Sequence, residues 1–148
     1  MSEHARILVI DDDENVRKGL ALALKERGYV VDVAKDGKEA VEKSEAAFFN
    51  LALIDIRLPD MDGIELLTAL RDTIPKMIKI IVTGYPSLEN AIKAVNKGAD
   101  GYVLKPVDMD RLVSTMERHL RRQQEAREYS EEKVKEYIET RAKEAGGL

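Results

Sequence analysis

Short runs of branched aliphatic residues recur along most of the chain, and each predicts a β-strand. Three of the runs are almost continuously apolar, which is typical of strands covered on both faces of a parallel sheet. The run that begins at Val30 alternates more and is predicted to lie nearer the edge of the sheet. The predicted strands are Arg6–Ile10, Val30–Ala34, Leu51–Ile54, Ile78–Val82 and Gly101–Leu104.

The segments between these runs carry apolar residues at helical spacing. The first stripe is followed by Gly28, a residue type that commonly ends a helix. Asp36 with Glu39 three residues later predicts the start of the second helix. Because strand and helix alternate five times, the sequence predicts an α/β fold. We expect a doubly wound, five-stranded parallel sheet of flavodoxin-like order 2-1-3-4-5, with helices on both faces.

The composition changes after the fifth helical stripe, where Arg, Lys, Glu and Gln dominate. Val134 and Ile138 belong to a thin apolar stripe, which predicts a helix that either continues the fifth one or breaks near Tyr129. We therefore expect one domain over residues 1–123 and a charged helical tail or linker over residues 124–148. The tail is either a solvated helix or a coiled-coil-like extension that pairs two copies.

Composition narrows the class of protein. With 148 residues and 44% hydrophobic residues, the chain can form one domain with a buried core. Its net charge of -4 argues against direct contact with nucleic acid, which requires a basic face. The absence of cysteine excludes disulfides and thiolate metal sites. No apolar run is long enough for a membrane span or a signal-peptide core, so we expect a cytoplasmic protein without membrane contact.

Charged and polar residues follow four of the predicted strands. Asp11 and Asp12 follow the first strand, Asp55 the third, Thr83 the fourth and Lys105 the fifth. In a sheet of the predicted order these strand ends are neighbours around one crevice. Clustered carboxylates repel one another unless a cation shares the site, and oxygen ligands with room for water suit Mg²⁺.

These side chains are the parts of a phosphoryl-transfer site: an oxygen nucleophile, a metal site, an ammonium group and a hydroxyl donor. No histidine follows any of the four strands, so a triad for acyl transfer would lack its base. Asp13 precedes the first helix and is predicted to cap it rather than to bind a metal.

The motifs after the strands resemble those of response-regulator receiver domains of two-component signalling, the CheY-like superfamily. The resemblance extends over roughly residues 5–123 and identifies the predicted domain as a receiver. It implies a phosphoacceptor switch and not an enzyme, since a receiver catalyses only its own phosphorylation and dephosphorylation. The motifs are Asp11-Asp12, Asp55 in the segment Leu53 to Gly63, Thr83-Gly84 and Lys105-Pro106.

The resemblance implies a role for each of these residues. Asp55 is the implied phosphoacceptor, Thr83 and Lys105 assist it, and Mg²⁺ is the implied cofactor. Lys105 is implied to pair with Asp55 and to precede Pro106 in a cis peptide bond. The implied metal ligands are Asp11, Asp12, Asp55 and the main-chain carbonyl of Arg57.

The resemblance also implies how the domain signals. Thr83 and Tyr102 are the implied switch residues, and Arg57 and Tyr85 occupy positions thought to tune dephosphorylation. The implied phosphoryl donor is a sensor histidine kinase or a phosphotransfer protein. A downstream protein partner is expected on the face made by the fourth helix, fifth strand and fifth helix. A homodimer through the fifth and C-terminal helices is a further expectation that the tail leaves open.

Two alternative functions share this fold class. An aspartate-dependent phosphohydrolase would use the acids after the first strand, but Asn15 stands where Thr or Val is expected. That alternative also leaves Asp55 without a role. A flavin- or nucleotide-binding module needs a phosphate loop after the first strand, and the acids there would repel phosphate in the absence of a metal.

Overall fold

The computed structural model describes residues 4–146 and contains a five-stranded parallel sheet in the order β2-β1-β3-β4-β5. The predicted fold class is therefore confirmed. The fourth strand is one residue longer than predicted, because Thr83 still pairs with Leu104. Residues 1–3 and 147–148, on which the signal-peptide argument and the end of the predicted tail fall, lie outside the described residues. The strands are β1 (Arg6–Ile10), β2 (Val30–Ala34), β3 (Leu51–Ile54), β4 (Ile78–Thr83) and β5 (Gly101–Leu104).

The helices begin and end at the predicted local signals. Asp13 accepts hydrogen bonds from two backbone N–H groups at the start of the first helix, and Asp36 accepts one from the Glu39 N–H. Gly28 follows the first helix with φ +96°, a conformation that glycine adopts without strain. The helices are α1 (Glu14–Glu26), α2 (Gly37–Ala46), α3 (Gly63–Ala69), α4 (Leu88–Asn96) and α5 (Met109–Gly146).

The sheet separates two hydrophobic cores. Leu24 of α1 and Leu112 and Met116 of α5 are fully buried against one face. Helices α2, α3 and α4 cover the other face through residues such as Leu66 and Ala94. Because both faces are covered, the central strands β3 and β4 are buried along their whole length.

Helix α4 exposes most of its apolar stripe. The exposed fractions are 79% for Leu88, 52% for Ile92 and 69% for Val95. Of the described residues in this helix, Ala94 is the only one that is buried. The helix therefore packs on the sheet through small residues and turns its large side chains towards solvent.

Helix α5 continues without a break from Met109 to Gly146, which excludes the predicted alternative of an interruption near Tyr129. Among the described residues of α5, Gln123 is the last one that forms a hydrogen bond with the rest of the domain. The Gln123 amide donates hydrogen bonds to the carbonyls of Asn50 and Lys76, at 3.0 and 2.8 Å. Residues 124–145 are exposed. None of the described helices is long and apolar enough to cross a membrane.

Candidate functional site at the carboxyl ends of the strands

Three carboxylates meet where β1 and β3 end. One oxygen from each of Asp11, Asp12 and Asp55 lies within 4.8 Å of the other two. Asp11 and Asp55 are buried and Asp12 is exposed, so one side of the cluster opens to solvent. Hard oxygen donors that converge at an open site match the requirement of Mg²⁺ for carboxylates plus water. The residues present therefore fit a magnesium site.

Burial and neighbouring negative charge act together on Asp55. Desolvation raises the pKa of the Asp55 carboxyl, and the charge of Asp11 raises it further, while Lys105 opposes the rise. A cation bound next to Asp55 would therefore favour the charged form of this buried carboxylate. A buried carboxyl group whose pKa is raised by its surroundings is a typical feature of functional sites.

Lys105 contacts two of the three carboxylates. Its Nζ atom donates a hydrogen bond to Asp11 Oδ2 at 2.7 Å and lies 3.6 Å from Asp55 Oδ2. The expected pairing with Asp55 is thus present as the longer of two contacts. The peptide bond between Lys105 and Pro106 is cis, as the resemblance implied.

Thr83 is fully buried at the end of β4. Its Oγ1 accepts a hydrogen bond from the Tyr85 N–H at 3.0 Å, which fixes the direction of the turn after the strand. The hydroxyl proton is not used in that bond and remains able to serve an acceptor. Thr83 thus lies at the carboxyl end of the strand next to β3, which ends beside Asp55.

The loop after Asp55 is held against its own strand. The Gly63 N–H donates to the Ile56 carbonyl at 2.7 Å, and Arg57 forms an isolated antiparallel bridge with Asp62. A Cβ atom at Gly63 would lie 2.0 Å from the Asp55 carbonyl oxygen, so only glycine permits this approach. The loop therefore keeps the Arg57 backbone close to the carboxylate cluster.

Tyr102 packs its ring against the core on the α3 and α4 side of the sheet. Its hydroxyl oxygen is buried and has no hydrogen-bond partner among the residues that the structure describes. An unpartnered buried hydroxyl costs about 1 to 3 kcal/mol relative to a solvated one. The Tyr102 side chain therefore occupies this position at a cost in folding free energy.

The sequence did not reveal two contacts around the site. The Arg57 guanidinium lies over the Tyr85 ring, 3.6 Å from its centroid, and so joins the loops after β3 and β4. The Arg17 guanidinium donates to the Asp11 carbonyl at 2.8 Å and ties α1 to the end of β1. Neither contact has a local sequence signal, because each joins residues that only the fold brings together.

Comparison with known proteins identifies the family. The model of the response regulator receiver domain family matches residues 7–117 of this chain. The chain belongs to this family, whose members are signalling switches. The phosphohydrolase and flavin-binding alternatives are not favoured.

Individual relatives agree with this placement. The transcriptional regulatory protein ZraR of Klebsiella oxytoca is 40% identical over 114 residues, which cover 77% of this chain and 26% of ZraR. The chain thus spans about a quarter of the length of this curated relative. A CheY-like receiver domain protein from Methanospirillum hungatei is 44% identical, with a TM-score of 0.78 over 84% of this chain and 99% of that one.

A further solved structure bears on the metal. The response regulator TrrA of Thermotoga maritima, solved in complex with Mg²⁺ and BeF, is 31% identical to this chain. Its TM-score is 0.70, and the match covers 78% of this chain and 98% of TrrA. Members of the receiver family bind Mg²⁺ at an acidic site, and the three clustered carboxylates of this chain form such a site.

Proposed function

We propose that this receiver accepts a phosphoryl group on Asp55 from a sensor histidine kinase or a phosphotransfer protein. One observation carries the proposal: the buried carboxylate of Asp55 shares a cluster within 4.8 Å with Asp11 and Asp12, and Lys105 lies 3.6 Å away. A carboxylate oxygen of Asp55 attacks phosphorus, the phosphorus–nitrogen bond to the donor histidine breaks, and an acyl phosphate forms. The lone pair of the broken bond returns to the imidazole nitrogen.

The other residues of the site act on charge and position. Asp11, Asp12, Asp55 and the Arg57 carbonyl are proposed to hold Mg²⁺, which when bound neutralises charge on the phosphoryl oxygens. The Lys105 ammonium supplies a second positive charge beside Asp55. Thr83, buried at the end of β4, is proposed to donate its hydroxyl proton to a phosphoryl oxygen as the loop after β4 moves towards the phosphate.

The proposed output is a change in the α4-β5-α5 face. Leu88, Ile92 and Val95 of α4 and Leu104 of β5 expose between 52% and 79% of their surface. The exposure of several large apolar side chains on α4 and β5 supports an interaction site on this face. Movement of Thr83 towards the phosphate and rearrangement of Tyr102 are proposed to change this face, and a downstream protein partner binds to it in one of its two states.

The residues after Gln123 are proposed to form a linker or tail, with the domain boundary at residues 123 and 124. Their exposure on a continuous helix supports this division. Tyr129, Val134, Tyr137 and Ile138 are exposed along the helix and give a second copy an apolar surface to pack on. A homodimer through α5 is therefore part of the proposal, as is a cytoplasmic location beside the kinase.

Intact-protein mass spectrometry after incubation with acetyl phosphate tests the assignment. We expect one phosphoryl adduct that requires Mg²⁺, that is lost in base, and that Asp55→Asn abolishes. An adduct retained in Asp55→Asn would overturn the choice of nucleophile. Continuous hydrolysis of a phosphomonoester far beyond one equivalent would instead favour the phosphohydrolase.

A further inference from the structure

The loop between β3 and α3 is also attached to helix α2, through Asp60. Asp60 accepts hydrogen bonds from the Gly37 N–H at 2.9 Å and from the Lys38 N–H at 2.8 Å. These groups are the first two N–H donors of α2 and have no partner within the helix. The hydrogen bond from Gly37 lowers the pKa of the Asp60 carboxyl, so the carboxylate stays charged.

Helix α2 does not depend on Asp60 for a cap. Asp36 precedes the helix and accepts a hydrogen bond from the Glu39 N–H at 2.8 Å, as an ordinary N-cap does. The backbone N–H groups at the start of α2 are thus bonded by two aspartates. Of these two, only Asp60 comes from another part of the fold. The contact joins residues more than twenty positions apart in the sequence.

Glycine at position 37 leaves room for the side chain of Met61. A Cβ atom there would lie 2.5 Å from the Met61 Cγ and Sδ atoms. Met61 follows Asp60 directly, so the absent side chain at Gly37 leaves space for this part of the loop. The two hydrogen bonds and the close packing fix the middle of the loop on α2.

The ends of the same loop are fixed on the sheet side. The Gly63 N–H bonds to the Ile56 carbonyl, and Arg57 bridges to Asp62. The loop therefore has one attachment at its base and one at Asp60. Arg57, whose carbonyl is a proposed metal ligand, belongs to the attachment at the base and lies three residues before Asp60.

We propose that Asp60 is a positioning residue: by binding the start of α2 it holds the β3–α3 loop, and with it the Arg57 carbonyl, in place for Mg²⁺. The inference rests on the proposed function, because it assumes that this site takes the metal. Residues that orient a metal ligand without touching the metal typically contribute about 10- to 100-fold to affinity.

The experiment compares two aspartates at one helix end. Mg²⁺ affinity is measured by titration calorimetry, and thermal unfolding without metal is measured in parallel. Asp60→Ala is expected to weaken Mg²⁺ binding about tenfold. Asp36→Ala removes a cap of the same helix without touching the loop, so it should lower the unfolding temperature and leave Mg²⁺ affinity unchanged. Asp60→Asn keeps one amide oxygen as an acceptor and should fall between wild type and Asp60→Ala.

Each other outcome has a defined meaning. Wild-type affinity in Asp60→Ala would overturn the positioning role. An equal loss of affinity in Asp36→Ala would overturn it as well, because the effect would then follow from the stability of α2. If the wild-type chain binds no Mg²⁺, the proposed function itself fails and the role of Asp60 falls with it.

Discussion

The two sides of the site are built differently. The fixed side, residues 55–70, carries the α3 stripe of Ile64, Leu66 and Leu67, none of which is more than 2% exposed. The open side, residues 83–104, carries the α4 stripe, in which Leu88, Ile92 and Val95 are each at least 52% exposed. Both stripes have helical periodicity. The difference teaches that periodicity identifies an apolar face but does not say what covers it.

The difference in burial between the two sides agrees with the roles proposed for them. The nucleophile and the loop that carries the Arg57 carbonyl need a constant geometry, which dense packing provides. The signalling face must change its contacts, and exposed apolar residues can do so at low cost to stability. We infer that the phosphoacceptor Asp55 and the Arg57 carbonyl belong to the fixed side and that the response belongs to the open side, with Thr83 as the link between them.

The largest expected effect distinguishes two glycines. Gly63→Ala would place a Cβ 2.0 Å from the Asp55 carbonyl oxygen, whereas a Cβ at Gly84 meets only Lys105 side-chain atoms at 3.8 Å. Gly63→Ala should lower the free energy of unfolding by about 4 kcal/mol or more, and Gly84→Ala should change it by less than about 1 kcal/mol. Urea denaturation measures both. Equal effects would contradict the claim that only one side is fixed.

The two apolar stripes give the next prediction. Leu66→Ala on the fixed side should lower the free energy of unfolding by about 2 to 5 kcal/mol, since it empties a fully buried position. Ile92→Ala on the open side should change it by no more than about 0.5 kcal/mol. The same urea titration compares them. A large loss in Ile92→Ala would mean that the α4 stripe is covered in solution.

A smaller gain in stability is expected at Tyr102, on the open side. Tyr102→Phe removes the buried, unpartnered hydroxyl and keeps the ring. The free energy of unfolding should therefore rise by about 1 kcal/mol. A decrease would show that the hydroxyl has a partner in solution and that Tyr102 does not occupy its position at a cost.

The pH dependence of stability gives the smallest expected effect. Burial and Asp11 raise the pKa of Asp55 in the folded state above its ordinary value of 3.8. The folded chain thus binds this proton more tightly than the unfolded chain, so stability falls as the pH rises through the folded pKa. In metal-free buffer, Asp55→Asn should be more stable than wild type at neutral pH, with the difference shrinking as the pH falls through the folded pKa towards 3.8. A constant difference would contradict the raised pKa.

Helix ends could be predicted from the sequence because they depend on residues that are close together along the chain. Asp36 and Gly28 mark helix ends through interactions within a few residues, and their roles are confirmed. The carboxylate cluster could also be predicted, because each acid directly follows a strand of a sheet whose order was expected. The exposure of Ile92 and the contact between Asp60 and Gly37 could not be predicted. Both features depend on how helices and loops that are distant in the sequence pack together, so no local sequence motif predicts them.

Amide hydrogen exchange with and without Mg²⁺ and beryllofluoride, a stand-in for the phosphoryl group, tests the central claim most directly. We predict that exchange changes most across residues 83–104, while the buried α3 amides of Leu66 and Leu67 keep their protection. A change of equal size on both sides, or a change in α3 alone, would contradict the assignment of the phosphoacceptor to the fixed side and of the response to the open side.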